Sequence, residues 1–221
     1  MKKQLSILAF LCTIGFGAPA QTEKGKSLIG GTLLFNSNKS ETEMNVSSTK
    51  NSSFEAAPSY GYFVANNLAI GISASFSHSK SENSYQSTVA VNGVYSYSQL
   101  SATSTTNRYL IGPFVRYYTP ISDQFKFFGQ FNAGIGFGDS EIAGSSYISN
   151  KSKLSSLQAA LSPGLAFFPG RKWAIEFGFN LLSFARDKDK ENTTLQNDST
   201  VDTFVFGLST FTPRIGVNFH F

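Results

Sequence analysis

The chain has 221 residues, which is enough for one domain with a sizeable interior. Charged residues make up only 14% of it, against about 25% in a typical soluble domain, whereas aromatic residues also reach 14% and include 22 phenylalanines. The formal net charge is +4, but the lysines and arginines form no cluster suited to nucleic acid, so we expect no nucleic-acid partner. This composition disfavours a protein whose whole surface faces water.

In chain order, the first twenty residues have the pattern of a secretory signal peptide. A pair of lysines precedes the short apolar run Leu5–Phe16, and the small-x-small sequence Ala18–Ala20 is a typical cleavage site. The apolar run is too short to span a membrane as a helix. We therefore expect residues 1–20 to be removed, which leaves residues 21–221 as one domain. Cleavage would also remove Cys12, the one cysteine, and with it any disulfide, thiol catalysis or zinc–thiolate site.

The rest of the chain alternates between apolar and polar residues with a period of two, which is the signature of β-strands. In the stretch FKFFGQFNAGIGFG, for example, Phe125 and Ile135 share one face, whereas Lys126 and Gln130 lie on the other. No later apolar run reaches eighteen residues, so no spanning helix is predicted. The last segment loses its phase, so we expect a bulge near Thr210–Pro213. Eight strand segments are predicted: Ser27–Phe35, Phe54–Val64, Leu68–Ser77, Arg108–Tyr118, Phe125–Gly138, Leu154–Phe168, Trp173–Phe184 and Thr203–Phe221.

The connections between these segments alternate in length. Those after segments two, four and six are short: Ala65–Asn67, Thr119–Gln124 and Pro169–Lys172. The others are long and polar, such as the stretch between Asn36 and Ser53. Outer-membrane barrels have short periplasmic turns, longer external loops and an even number of strands. The pattern therefore predicts an eight-stranded antiparallel up-and-down transmembrane β-barrel with both mature termini in the periplasm.

The polar face of the strands carries charges that would be costly against lipid but tolerable in a barrel lumen. We expect the lumen to hold a polar network, with the apolar face turned outward toward outer-membrane lipids. Because isolated buried charges are expensive, the two carboxylates of this network are predicted to pair with cations and to block free diffusion. An aromatic girdle is predicted at the inner interface. The network residues are Glu55, Arg116, Lys126, Glu176 and Arg214; the girdle residues are Tyr60, Tyr62, Tyr117, Trp173, Phe219 and Phe221.

The final stretch RIGVNFHF places apolar or aromatic side chains at alternate positions, Ile215, Val217, Phe219 and Phe221. It resembles the C-terminal signature of bacterial outer-membrane barrels, in which an aromatic last residue is read by the assembly machinery. The unit PSYGYFVANNLAIGIS, residues Pro58–Ser73, is similar to small eight-stranded barrels of the OmpX and OmpA-membrane-domain kind, and most of all to the outer membrane β-barrel domain proteins of Bacteroidetes-type bacteria. The resemblance implies a bacterial outer-membrane location and the barrel-assembly machinery as a partner, but no particular activity.

The second long connection contains a hairpin signal of its own. The stretch TVAVNGVYSY is two alternating runs around Asn92-Gly93, and Asn-Gly between such runs favours a two-residue turn. With that turn, Val91 pairs with Val94 and the same register carried inward pairs Leu68 with Tyr117, so that outward residues meet outward residues. We predict that strands three and four continue beyond the membrane as one long ribbon with Asn92 and Gly93 at its tip. A disordered loop is the alternative.

Residues suited to catalysis or metal binding are few. His220 lies at the inner end of the last strand. His78 lies between two serines and near Glu82, but neighbours in a strand point to opposite faces, so a Ser–His–acid arrangement is not predicted. The run RDKDKE, Arg186–Glu191, is interpreted as a solvated loop because its charges alternate and it lacks the turn glycine of a calcium loop. The glycines of Gly134–Gly138 lie inside a strand and open no helix, so they do not indicate a dinucleotide site.

The function predicted from these patterns is that of a non-enzymatic outer-membrane barrel without a cofactor or a metal. Its external loops, including the hairpin, are expected to contact the surroundings through an extracellular partner of unknown identity, or to support envelope integrity. Two alternatives remain open. One is a narrow pore or ligand conduit, and the lower-ranked one is an outer-membrane lipid-modifying enzyme or protease.

Overall fold

A computed structural model describes residues 21–42, 47–91, 94–145, 147–191, 198–207 and 213–221. Within these ranges the strands pair antiparallel in a single sheet. No helix in the described part of the chain is long and apolar enough to cross a membrane. The described residues form ten strands: β1 Ser27–Thr42, β2 Ser47–Ala65, β3 Leu68–Val91, β4 Val94–Pro120, β5 Phe125–Gly144, β6 Tyr147–Phe167, β7 Trp173–Gly178, β8 Leu182–Glu191, β9 Ser199–Phe206 and β10 Arg214–His220.

The sheet closes into a ring with eight positions. Each strand from β1 to β5 pairs with the next, and β6 then pairs with both β7 and β8. Its pairing with β7 lies next to the short turn Pro169–Lys172, and its pairing with β8 lies farther from that turn. The end of the barrel that carries the short turns is called the inner end, and the opposite end is called the outer end. Strand β10 pairs with β7 on one side and with β1 on the other, over Leu28–Leu33. Among the described residues, β9 pairs only with β8, and β1 beyond Leu33 pairs only with β2. The ring therefore has the eight positions that were predicted, but it contains ten strands, because the seventh and eighth positions are each divided in two.

A bulge divides the seventh position. Gly164 lies opposite Gly178 of β7, whereas Leu161 lies opposite Leu182 of β8, so one extra residue has been inserted after β7. Pro163 on the facing strand has no N–H to donate to the ladder at this point. One extra residue reverses which side chains face the lumen. Alternation continued from β7 would turn odd-numbered residues outward here, but the bulge turns Asp187 inward instead.

The apolar face of each strand points out of the barrel and the polar face points into the lumen, as predicted. Outward side chains such as Ile72, Phe131 and Ile135 are 48–65% exposed, whereas the inward Ala69 and Phe114 are buried. The predicted girdle residues are also on the outside near the short turns, and all but the half-buried Phe219 are strongly exposed. An apolar exterior around a polar interior is the reverse of a soluble protein and is what a bilayer requires.

Most strands extend farther than predicted. β1 and β2 pair as far as Thr42 opposite Ser47, so most of the predicted loop between Asn36 and Ser53 is strand. Likewise, Arg186–Glu191 lies in β8 rather than in a solvated loop. Both segments form strands because their backbones pair with the neighbouring strand. Polar side chains on both faces of a strand do not prevent this backbone pairing in water.

The predicted register of the long ribbon is confirmed. Leu68 lies opposite Tyr117 and Val91 lies opposite Val94, with continuous pairing between them. Asn92 and Gly93 lie outside the described residues, as does most of the bulge predicted at Thr210–Pro213.

The predicted C-terminal signature forms the closing strand. Ile215, Val217 and Phe219 of β10 lie opposite Leu33, Gly31 and Ile29 of β1. Phe221 continues the ladder by exchanging two backbone hydrogen bonds with Ser27, at N–O distances of 2.7 and 2.9 Å. Its ring stacks on Phe219 with 5.8 Å between centroids.

Replacing Phe221 with Ser is expected to leave export intact but to reduce outer-membrane insertion to a small fraction of the wild-type level. The exposed ring at the end of the closing strand is lost, and with it the feature that the resemblance assigns to assembly. The measurement is the amount of heat-modifiable protein in the outer-membrane fraction. Tyr117→Ser removes a similarly exposed ring from the same rim and should insert normally. Normal insertion of the Phe221→Ser variant would contradict the prediction.

Candidate functional site

The inner end of the lumen is sealed by a layer of aromatic side chains. Phe63 of β2, Phe114 and Tyr118 of β4, and Phe168 after β6 are each at most 2% exposed. His220 of β10 packs edge-on against Phe168 and Tyr118, with ring centroids 5.3 and 6.3 Å away. These aromatic side chains come from four different positions around the barrel. Together they close the lumen across its width.

The segment that precedes β1 covers this layer. Gln21 Nε2 donates to the carbonyl of Gly170 at 2.5 Å, and His220 Nδ1 donates to the Gln21 carbonyl at 2.8 Å. The Lys126 ammonium donates to Thr22 Oγ1 at 2.6 Å. Lys126 thus faces the interior as predicted, but its hydrogen bond goes to a hydroxyl rather than to Glu55 or Glu176.

A buried ion pair stands directly above the aromatic layer. Arg116 Nη1 donates to both carboxylate oxygens of Glu176, at 2.8 and 2.9 Å, and Tyr118 donates its hydroxyl to the same carboxylate at 2.9 Å. Arg116 Nε donates to Gln130 Oε1, and the guanidinium lies 4.8 Å from the Phe128 ring centroid. Both carboxylate oxygens and the Nη1 and Nε atoms of Arg116 therefore have partners, which is what makes a buried charge tolerable.

Two further pairs cross the lumen nearer the outer mouth. Arg214 Nη2 of β10 lies 3.4 Å from Glu55 Oε1 of β2. Arg108 Nη1 of β4 lies 3.1 and 3.2 Å from the two oxygens of Asp187 of β8. The sequence did not indicate Arg108 and Asp187, because Asp187 faces the lumen only as a result of the bulge after β7.

Between these pairs lies an open cavity of about 400 Å³. Its walls combine small residues, side-chain amides, two of the ion pairs together with Arg108 of the third, and a few aromatic rings. Gln130 Nε2 donates to Asn132 Oδ1 at 2.7 Å, and Ser162 Oγ donates to Asn180 Oδ1 at 2.8 Å. The lumen is therefore a hydrogen-bonded cup whose floor is the Arg116–Glu176 pair and the aromatic layer.

The histidines do not assemble a catalytic group with the described residues. His78 lies on the outward face of β3, where its Nδ1 is 2.8 Å from Asn107 Oδ1. Glu82 forms ion pairs with Lys80 and Lys50, and the hydrogen bond and charge of Lys80 lower the pKa of its carboxyl group. No cluster of three or more His, Cys, Asp or Glu side chains that could hold a metal occurs in the described part of the chain.

Comparisons with known proteins identify one matching family and several similar solved structures. The family model of the outer membrane protein β-barrel domain matches residues 6–210. No curated protein matches the chain in sequence. Among solved structures, Ail, the attachment invasion locus protein of Yersinia pestis, is 15% identical with a TM-score of 0.39, and the match covers 90% of this chain and 99% of Ail. OprG of Pseudomonas aeruginosa is 14% identical with a TM-score of 0.47, over 91% of this chain and 98% of OprG. The N-terminal barrel of OprF from Pseudomonas aeruginosa is 11% identical with a TM-score of 0.34, over 90% and 98%.

Replacing Glu176 with Ala is expected to lower the free energy of unfolding by about 3–5 kcal/mol, because the buried Arg116 guanidinium would lose its counter-charge. Urea unfolding of the protein in lipid vesicles measures the change. Glu41→Ala is the matched control, since it breaks the exposed pair with Lys39 at 2.6 Å, and it should cost about 0–1 kcal/mol. Equal losses in the two variants would count against the structural role of the buried pair.

Proposed function

The chain belongs to the outer membrane protein β-barrel domain family, and on this premise we propose that it is a non-enzymatic surface-contact protein of the bacterial outer membrane. The barrel serves as the anchor, and the long β3–β4 ribbon serves as the contact element. The continuous pairing of this ribbon from Leu68–Tyr117 to Val91–Val94 is the observation that carries the proposal.

The ribbon rises beyond the strands on either side of it. Pairing with β2 ends at Ser48 opposite Ser84, and pairing with β5 ends at Ala102 opposite Gly144. The Ser145 N–H donates to the Ser101 carbonyl, so the two-stranded projection consists of residues 85–91 and 94–100. At about 3.3 Å per residue, its seven residue pairs to Val91–Val94 rise roughly 20 Å above the flanking strands.

The projection has the features of a strand-pairing site. Both of its edges carry unpaired backbone groups in the described residues, and an exposed edge can receive an extended segment of a partner by β-augmentation. Tyr85 and Tyr97 are 41% and 64% exposed on the two strands. Tyrosine supplies a large amphipathic contact surface at low conformational cost, which favours a protein partner.

The closed floor of the lumen supports an anchoring role over the alternative of a pore. The aromatic layer and the Arg116–Glu176 pair occupy the inner end, where a continuous channel would have to pass. Gln21, where the described residues begin, and Phe221 both lie at this sealed end, next to the short turns, which is the end that we assign to the periplasm. The barrel-assembly machinery would read Phe221 there, and outer-membrane lipids would cover the apolar face.

Excision of residues 85–100, with the paired residues Ser84 and Ser101 joined by an Asn-Gly turn, is expected to leave the barrel folded and to abolish surface binding. Retention of bacteria on a panel of immobilised extracellular proteins measures the loss. The control shortens the β1–β2 hairpin by removing residues 38–51, again with an Asn-Gly turn, and should keep wild-type binding. Equal retention of wild-type and excised strains on every surface would refute the contact role of the ribbon.

A sealed lumen also predicts that the protein does not conduct ions. The protein reconstituted in planar bilayers should give no stable conductance step, and vesicles that contain it should swell in sugar solutions no faster than protein-free vesicles. A stable conductance in the wild-type protein would favour the pore instead.

A further inference from the structure

We infer that the outer half of the lumen is a binding cup for a small uncharged polyhydroxylated molecule, of the size of one or two sugar rings. This inference is independent of the surface-contact role of the ribbon. The cavity of about 400 Å³ lies within the size range of small-molecule sites. Its walls, its charges and its one closed end each restrict what can bind there.

The cavity exists because small side chains line the ring at mid-height. An eight-stranded barrel has an interior that large side chains fill, as the aromatic rings do at the floor, but a barrel of this size can hold one small ligand where the lining is small. The chain places small inward residues on three neighbouring or facing strands of the cup: Ser73, Ser75, Gly112, Ala160 and Ser162.

The charged side chains that border the cup already have partners. They form the Arg108–Asp187, Arg214–Glu55 and Arg116–Glu176 pairs. An ionic ligand would have to separate one of these pairs and leave a charge without its counter-ion in a confined space. The lining therefore selects against charged ligands.

Uncharged hydrogen-bonding groups remain available in the same walls. The Gln158 side chain has no hydrogen-bond partner among the described residues, and the Asn132 and Asn180 amides use only their oxygen atoms, as acceptors. Amides that donate and accept, together with serine hydroxyls, match the adjacent hydroxyl groups of a sugar. Phe128 and Leu110 add apolar surface for its C–H face.

The sealed floor gives the cup a single entrance, at the outer mouth. A molecule that enters must leave by the same way, so the expected behaviour is saturable binding without passage across the membrane. This separates the cup from a conduit.

The test uses the protein extracted in an alkyl polyoxyethylene detergent, which has no sugar head group. Calorimetric titration with glucose and with maltose is expected to show saturable binding of at least one of them, whereas the charged probe gluconate should bind at least about tenfold more weakly. Ser73→Leu and Ala160→Leu fill the cup and should abolish binding. Ile72→Leu changes the adjacent outward side chain and should bind as the wild type does.

A second variant tests the chemistry rather than the volume. Gln158→Leu keeps the size of the side chain but removes its amide, and should weaken binding by about two- to tenfold, the effect of one lost hydrogen bond. Heat-modifiable migration verifies that each variant is folded. The inference fails if the wild type binds neither sugar, if gluconate binds as tightly as glucose, or if folded Ser73→Leu and Ala160→Leu variants bind normally.

Discussion

Backbone hydrogen bonding around a closed ring is the constraint on which the rest of this structure depends. In a bilayer an unpaired N–H or C=O costs several kcal/mol, so the ladder has to be complete before side chains matter. Here the ring closes through β10, which lies between β7 and β1. A Cβ atom at Gly30 would lie 2.2 Å from the Val217 carbonyl oxygen, so only glycine permits this close approach of the two strands.

Closure of the ring fixes the chemistry of the interior. A ring of eight strands leaves little room for water, so inward charges have to satisfy one another across the lumen. The three ion pairs join β4 to β7, β10 to β2, and β4 to β8. Each pair links strands that are not neighbours in the ring. The pairs therefore hold the barrel together across its width, in a direction that the backbone ladder does not cover.

Alternation within a strand could be read from the sequence because each strand has one face toward lipid. That is why the inward positions of Glu55, Arg116, Lys126 and Glu176 were predictable. The bulge after β7 was not, because its physical cause, the missing N–H of Pro163, lies on the facing strand and acts through the pairing. Asp187 was missed for the same reason. The polar ends of β1 and β8 have the sequence pattern of loops, because polar residues occupy both faces of these strands and the hydropathy does not alternate.

The inward side chains differ in size between the two ends of the barrel, and this asymmetry links the fold to both proposals. Large inward rings such as Phe63, Phe114 and Phe128 come from strand ends near the short turns, whereas small residues such as Ser73 and Ala160 follow them farther out. Packing is thus concentrated at the inner end, which the protein closes with its own side chains. The outer end is left with an unfilled cup and long ladders that no longer need apolar side chains. Both features lie at the end of the barrel away from the short turns, so the two proposals place recognition on the same side of the membrane.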